Sequence, residues 1–315
     1  MLKSFLLSLL LAVCAKPSEV PVRILYWNIQ NGMWADQGNH YDNFVDFVRE
    51  TDPDICIWCE AKTHYRTGSG EAFPADSDSL YLPEHWPELA ARYGHRYVFV
   101  GGERDFFPQV VTSRFPLEGV LRMTGDDSVM VSHGAGWVTA DVHGTRLNIV
   151  TVHTWPQQYG FDIPKSPSRL RKESAARHEG DSCRMREMRW VVGKTLGTDP
   201  NAERHFWILA GDMNSVSRAD NAVYGLDEDS PEFLTQDFLA GLPFLRDAGQ
   251  ILLDTFIPTG ASGRRIDYLY CTSPVLERIR RLEVIREGYP ARQKTDIRNF
   301  WIPSDHYPMV MDLAL

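Results

Sequence analysis

Cysteine is scarce in this 315-residue chain, with only Cys14, Cys56, Cys59, Cys183 and Cys271. Cys56 and Cys59 fall on opposite faces of one expected strand and are poor partners for each other. The set therefore demands neither a disulfide framework nor a zinc site. Basic charge is short as well. Lys and Arg number 33 against 42 Asp and Glu, a net charge of −9, so bulk electrostatics do not make the surface a polyanion binder. Beyond the first residues no apolar run is long enough to span a bilayer as part of the fold. Internal repeats and low-complexity tracts are absent, which sets repeat architectures aside.

What remains is ordinary globular composition. At 43% hydrophobic the chain can bury a sizeable core as one large α/β domain or two smaller ones. Residues 1–15 read as a signal peptide, with Lys3 near the start, Ser4 to Val13 as the apolar core and Val13-Cys14-Ala15 as the small-residue cleavage site. A first core helix is the competing reading, and it is weakened by the polar, Pro17-containing linker over 16–21. The protein is thus expected to be exported, periplasmic or secreted. Lipoprotein anchoring through Cys14 is the lesser alternative, because Val13 is bulkier than such sites usually accept. No linker interrupts residues 22–315.

Val22 to Ile29 reads as a strand ending in Tyr26-Trp27-Asn28. Tyr41 to Glu50 has helical apolar spacing at Phe44, Val45, Phe47 and Val48, and Asp52-Pro53 breaks it. Ile55 to Cys59 follows as a strand ending in Glu60. Ligands of open α/β sheets collect outside strand ends, so Asn28 and Glu60 mark a site, against the bland reading of a turn amide and a rim carboxylate. A helix is expected over Glu84 to Tyr93, and strands over Tyr97 to Val100, Gln109 to Ser113 and Leu117 to Met123. Trp137 to Val142 and Arg146 to Val152 flank His143-Gly144-Thr145, a hairpin signal. The second arm ends in His153-Thr154-Trp155. Cys183 to Leu196 is expected to be a helix with Met185, Met188, Val192 and Leu196 on one face. Arg184, Arg186 and Lys194 lie off that stripe, as a solvated face would. Phe206 to Leu209 is a buried strand running into Ala210-Gly211-Asp212-Met213-Asn214. Alternation along extended backbone puts Asp212 and Asn214 on one side, a hard-oxygen arrangement suited to a cation or a phosphoryl group. An Asx turn alone would also explain that pair. Glu232 to Ala240 reads as helix. Strands are expected over Arg265 to Cys271, Val275 to Arg286 and Met309 to Leu313, the last preceded by Ser304-Asp305-His306-Tyr307-Pro308. Alternating β-α-β at the front with hairpins in the middle argues for a mixed α/β domain.

Collected, the strand-end groups are Asn28, Glu60, His153, Asp212, Asn214, Asp267, Asp305 and His306. Their order and local sequences resemble the endonuclease/exonuclease/phosphatase superfamily. The pieces that carry the resemblance are Trp27-Asn28-Ile29, Cys59-Glu60, Thr151-Val152-His153, Gly211-Asp212-Met213-Asn214, Arg265-Ile266-Asp267-Tyr268 and Ser304-Asp305-His306-Tyr307-Pro308, with Ser113-Arg114-Phe115-Pro116 as a structural signature. Cys59 departs from the pattern, since many members carry Gln there. The resemblance implies a four-layer α/β sandwich, two mixed β-sheets packed face to face with helices on both outer faces. It implies that Glu60 binds Mg²⁺ or Mn²⁺ with Asn28 and Asp305 assisting. Asp212 and Asn214 would orient the attacking water and the phosphoryl oxygens. His306, its other ring nitrogen held by Asp267, would act as base or stabilise developing charge, and His153 would contact the phosphate from the opposite side.

The leading reading is a Mg²⁺-dependent phosphoesterase, acting as a monomer on a small or lipid-linked phosphodiester or phosphomonoester. A secreted non-specific nuclease is the runner-up, with nucleic acid as partner. A binding module that keeps the fold without chemistry is the alternative of another class. The stretch after His153 bears on this choice. It carries Trp155, Tyr159 and Phe161, then a Lys/Arg excess from Lys165 through Arg169, Arg171 and Lys172. Aromatics there can stack on a substrate and cations can steer a phosphate inward, which makes Trp155 a substrate-binding residue. The competing reading is that the aromatics only seal a loop.

Overall fold

The computed structural model describes residues 19–73, 85–104, 107–156 and 180–315. The expected signal segment with Lys3 and Cys14, and the stretch holding Tyr159, Phe161, Lys165, Arg169, Arg171 and Lys172, lie outside the described residues. The strands in chain order are β1 (Pro21–Asn28), β2 (Ile55–Cys59), β3 (Tyr97–Val100), β4 (Val110–Ser113), β5 (Leu117–Gly125), β6 (Met130–Val142), β7 (Thr145–His153), β8 (Phe206–Asp212), β9 (Arg246–Asp247), β10 (Asp267–Cys271), β11 (Ile279–Val284), β12 (Gln293–Lys294), β13 (Trp301–Ile302) and β14 (Met309–Ala314). The longer helices are α1 (Asp42–Thr51), α2 (Trp86–Arg92), α3 (Gly180–Lys194) and α4 (Leu234–Ala240). Two six-stranded mixed sheets result, in the orders β11-β14-β1-β2-β4-β3 and β5-β6-β7-β8-β10-β9, and β12 pairs with β13 alone. Among the described residues no helix is long and apolar enough to cross a membrane.

The strands are apolar on both faces, and this sets the layers. Ile24, Tyr26, Ile55, Ile57 and Met311 of the first sheet meet Ile149, Ile208, Ala210 and Leu269 of the second in a central core. The alternate residues Leu25, Trp27, Cys56 and Trp58 face outward and are covered by Phe44, Val48, Trp86 and Leu89 of α1 and α2. On the other side Val150, Trp207, Leu209 and Tyr270 are covered by Met188, Val191 and Leu239 of α3 and α4. Burying an aliphatic or Phe side chain stabilises by roughly 1.5–3 kcal/mol, so a strand with two packed faces is held far more firmly than an edge hairpin. The expected four-layer sandwich is the architecture found.

The same period-2 alternation places the polar strand ends. Asn28 continues the central parity of Ile24 and Tyr26, Asp212 that of Ile208 and Ala210, His153 that of Ile149, and Asp267 that of Leu269. Register completes the alignment: His153 and Asp267 both lie opposite Asp212, while Asn28 lies opposite Cys59 in the other sheet. All of them therefore emerge at one end of the inter-sheet layer. The expected His143-Gly144 hairpin joins β6 to β7, with φ +50° and +92° as a type I′ turn requires.

Two expectations are corrected. Val275 to Arg286 is not one strand: Pro274 sits in the first turn of a short helix, Ser273–Leu276, and only Ile279–Val284 is extended. The other correction concerns α3, whose early turns do not present a solvated charged face. Asp181, Arg184 and Glu187 point inward with Met188, Val191 and Val192, while Met185 is only half-buried. These charges are answered locally. Arg184 pairs with Asp181 at 3.0 Å, Asp181 accepts the Thr235 amide at 2.7 Å, and Glu187 accepts the amide and hydroxyl of Ser132, each at 2.8 Å. Helical periodicity marks the inward face but not whether a partner waits there to satisfy a charge.

Burial raises the Glu187 carboxyl to about 7, with the Ser132 bonds pulling the other way. An acid whose folded pKa lies above its unfolded value destabilises once ionised, so stability should fall as pH rises from about 4.5 to 7 and stay lower beyond. That rise corresponds to roughly 3 kcal/mol. Glu187→Gln is expected to match the wild type in thermal midpoint near pH 5, exceed it at pH 8 and flatten the profile between. A lower midpoint at pH 8, read by circular dichroism, would show that the charged form is held by its bonds after all.

Candidate active site

Asp212 is the centre of the polar end. It is 2% exposed, and its Oδ1 accepts the Asn214 amide at 3.0 Å. Its Oδ2 accepts Nδ2 of Asn28 at 3.0 Å and lies 3.6 Å from Nε2 of both His153 and His306. The two imidazoles thus flank one carboxylate oxygen, just beyond direct hydrogen-bond length.

Their surroundings push them apart. Burial lowers His306, but Asp267, Asp305 and Asp212 overcome it and hold this imidazole well above its ordinary value. Nδ1 of His306 lies 2.7 Å from Oδ2 of Asp267, whose Oδ1 accepts the Tyr26 hydroxyl at 2.6 Å. Ser304 locks the loop by donating to the carbonyl of Asn28 at 2.8 Å and accepting the His306 amide at 3.1 Å. His153 goes the other way, lowered well below its ordinary value by burial and then by His133 and His306 nearby. Asp212 is raised to about 7, mainly by burial, with His306 opposing. A cationic imidazole and a neutral one on either side of a carboxyl that titrates near neutrality can both donate and accept protons.

Glu60 is held by a backbone device. Gln30, Asn31, Gly32 and Met33 have φ of 38°, 52°, 64° and 57°, a complete turn of left-handed helix. Left-handed helix disfavours L-residues by roughly 1–2 kcal/mol each. The turn stands because its amides have fixed acceptors: Gln30 donates to Oδ1 of Asn28 at 3.1 Å, Asn31 to Oε2 of Glu60 at 2.9 Å and Gly32 to the carbonyl of Glu60 at 2.6 Å. A Cβ on Gly32 would lie 2.6 Å from the backbone of Lys62 and Thr63. Oε1 of Glu60 accepts Nδ2 of Asn28 at 3.3 Å. Burial and then the charge of Asp305 raise Glu60, and burial raises Asp305 with His306 opposing. Oδ1 of Asp305 is buried without a hydrogen-bond partner among the described residues.

Two groupings could hold a cation. Oxygen or nitrogen atoms of Asp212, Asp267 and His306 come within 4.8 Å of one another. Both oxygens of Asp267 are already engaged, however, by Tyr26 and His306. Asn28, Glu60 and Asp305 form a second set of hard oxygens, in which the Asn28 oxygen and both Glu60 oxygens already accept hydrogen bonds and Oδ1 of Asp305 has no partner among the described residues. Asn214 and Trp155 stand at the rim. Asn214 is half-buried at φ +44° and donates to the carbonyl of Thr154 at 3.0 Å. Trp155, also half-buried, stacks on His133 at 5.7 Å, and His133 lies 4.2 Å from His153. Cys59 is buried with Sγ 3.4 Å from the carbonyl of Val152 in the facing sheet, so it packs between the layers. Sequence reasoning did not find Tyr26, His133 or the left-handed turn. Tyr26 shares the parity of Asn28, the one signal that could have disclosed it.

The sequence profile of the endonuclease/exonuclease/phosphatase family matches residues 25–306. The chain belongs to that family. Members of the endonuclease/exonuclease/phosphatase family hydrolyse phosphoester bonds. Among solved structures, an endonuclease/exonuclease/phosphatase from Beutenbergia cavernae is 20% identical with a TM-score of 0.57, over 94% of this chain and 72% of that one. An AP endonuclease from Archaeoglobus fulgidus is 17% identical with a TM-score of 0.57, over 93% and 100%. A 3′ phosphatase from Neisseria, bound to product DNA hairpin, is 15% identical with a TM-score of 0.55, over 93% and 100%. These likenesses establish a shared fold. No curated protein matches the chain by sequence.

His306→Ala is expected to lower kcat by about 10²–10⁴-fold, more than any other histidine substitution except His153→Ala. Asp267→Asn should lose less, by misorienting His306. His95 binds Thr112 and the carbonyl of Pro53 far from this cluster, so His95→Ala should spare kcat. A near-normal His306→Ala enzyme would remove that residue from the chemistry. Gly32→Ala is expected to fold less stably and to lose activity together with Glu60→Gln; normal activity in it would show that the turn does not position Glu60.

Proposed function

We propose that the protein is an exported, Mg²⁺-dependent phosphoesterase that cleaves a phosphodiester or phosphomonoester by direct attack of water. The observation that carries this reading is Oδ2 of Asp212 set 3.6 Å from both His153 and His306, beside the carboxylates of Glu60 and Asp305. Glu60, Asn28 and Asp305 would hold Mg²⁺ or Mn²⁺, which would supply positive charge against the charge gathering on the phosphoryl and leaving oxygens.

The chain's own groups do the rest. Asp212, steadied by the Asn214 amide and by Asn28, orients the water and takes its proton. His306, kept charged and aligned by Asp267, donates through Nε2 to the phosphoryl oxygens. Neutral His153 faces them from the other side of Asp212, with Asn214 and Trp155 at the rim for the substrate. Water loses a proton to Asp212, the new P–O bond forms and the leaving oxygen departs opposite it.

Net acidity supports a small or lipid-linked substrate over a nucleic acid strand. The likeness in fold to an AP endonuclease from Archaeoglobus fulgidus keeps nuclease activity as the second reading. Turnover of bis-p-nitrophenyl phosphate should require added Mg²⁺ or Mn²⁺, stop in excess chelator, and nearly vanish in Glu60→Gln. Full turnover in chelator would refute the metal requirement, and no turnover under any condition would favour a binding module. A panel of DNA, RNA, sphingomyelin, sugar phosphates and inositol phosphates then separates the substrates.

A further inference from the structure

Arg292 is a cation that the chemistry described above leaves unused. It lies on the connection between β11 and β14, half-buried, with its guanidinium 4.0 Å from the Tyr307 ring and 5.8 Å from the Trp301 ring. Only Nη1 is engaged among the described residues, donating to the carbonyls of Asp305 at 3.0 Å and Thr259 at 3.3 Å. No carboxylate pairs with it there, whereas the buried Arg184 and Arg265 both have carboxylate partners. The Asp305 carbonyl that Arg292 binds belongs to the residue whose carboxylate lies at the centre, which places the guanidinium next to the site.

A guanidinium that is partly stripped of water and lacks an acid partner is an unfavourable arrangement by itself. Here the aromatic faces and the two carbonyls fix its plane, so its Nε–Nη2 edge is a preformed fork of donors. Forks of that kind match the oxygens of a phosphate or carboxylate in a bidentate way. The scissile phosphoryl group is already provided for by Asp212, Asn214 and the two histidines. An anion at Arg292 would therefore be a neighbouring group of the same substrate.

The surface beyond Tyr307 limits the size of that substrate. Tyr307, on which Arg292 stacks, lines an open groove of about 610 Å³ in which Arg286 stands with two carboxylates, Glu283 and Glu287. Those carboxylates would repel a polyanion running along the groove, while a single additional phosphate could stop at Arg292.

We propose that Arg292 forms a subsite for a second phosphate, so that the enzyme selects small bisphosphorylated molecules. This rests on the phosphoesterase reading of the same site and names its substrate class. Binding is the test, because it does not depend on turnover. The full chain, with Mg²⁺ present, is titrated calorimetrically with two pairs: thymidine 5′-monophosphate against thymidine 3′,5′-bisphosphate, and fructose 6-phosphate against fructose 1,6-bisphosphate. A charge-assisted bidentate contact predicts that the wild type binds at least one bisphosphate about tenfold or more tighter than its monophosphate. Arg292→Ala should abolish that advantage and leave monophosphate affinity unchanged, and Arg292→Lys should retain part of it. Equal affinities within both pairs, an advantage that survives Arg292→Ala, or an equal loss for both members of a pair would overturn the proposal. Failure of the phosphoesterase reading looks different: a bisphosphate preference without any hydrolysis of bis-p-nitrophenyl phosphate.

Discussion

The carboxylate of Asp267 joins the two sheets and the chemistry in one buried group. It belongs to β10 of the second sheet, yet one of its oxygens accepts Tyr26 of β1 and the other meets His306, whose loop leads into β14. A fully buried carboxylate is tolerable only when its oxygens are satisfied, so the sheets must pack at the spacing that brings Tyr26 and His306 to it. Once that spacing is set, Asp212 opposite Asp267 falls between the two imidazoles. The inter-sheet packing and the site geometry are therefore one constraint seen at two depths of the same layer.

Much of this was legible from parity and strand endings. Asn28, His153, Asp212 and Asp267 each close a strand whose apolar residues alternate, and six short pieces in a recognisable order pointed to the family that the profile match establishes. The charged inner face of α3 was not legible, because the Ser132 and Thr235 amides that satisfy Glu187 and Asp181 come from segments more than 50 residues away. The left-handed turn after Asn28 was equally hidden. Only Asn31 and Gly32 in Gln30-Asn31-Gly32-Met33 tolerate that hand readily, and Glu60, which stabilises it, arrives from the end of another strand.

The acidity of the chain takes on a sharper meaning at the site. Glu60, Asp212, Asp267 and Asp305 concentrate negative charge at one end of the layer, against which His306 is the charged counterweight. An anionic substrate would be repelled by such a cluster alone. A divalent cation would change that balance, and Arg292 is a fixed positive group bound to the Asp305 carbonyl. The surface as a whole need not be basic for the mouth of the site to attract a small phosphate ester.

The wound turn at residues 30–33 also acts as a mechanical coupling. Its next residue, Trp34, donates to the carbonyl of Arg66 at 2.7 Å and rests on Phe300 at 4.5 Å, and Gln30 is tied to Asn299 and Trp301. Two rim loops are thus fastened to a backbone segment whose hand is maintained by the Glu60 carboxylate. A proton or a cation drawing on that carboxylate competes with the Asn31 amide for the same oxygen. The Glu60 carboxylate and the two loops therefore share one support, a coil wound against its natural direction.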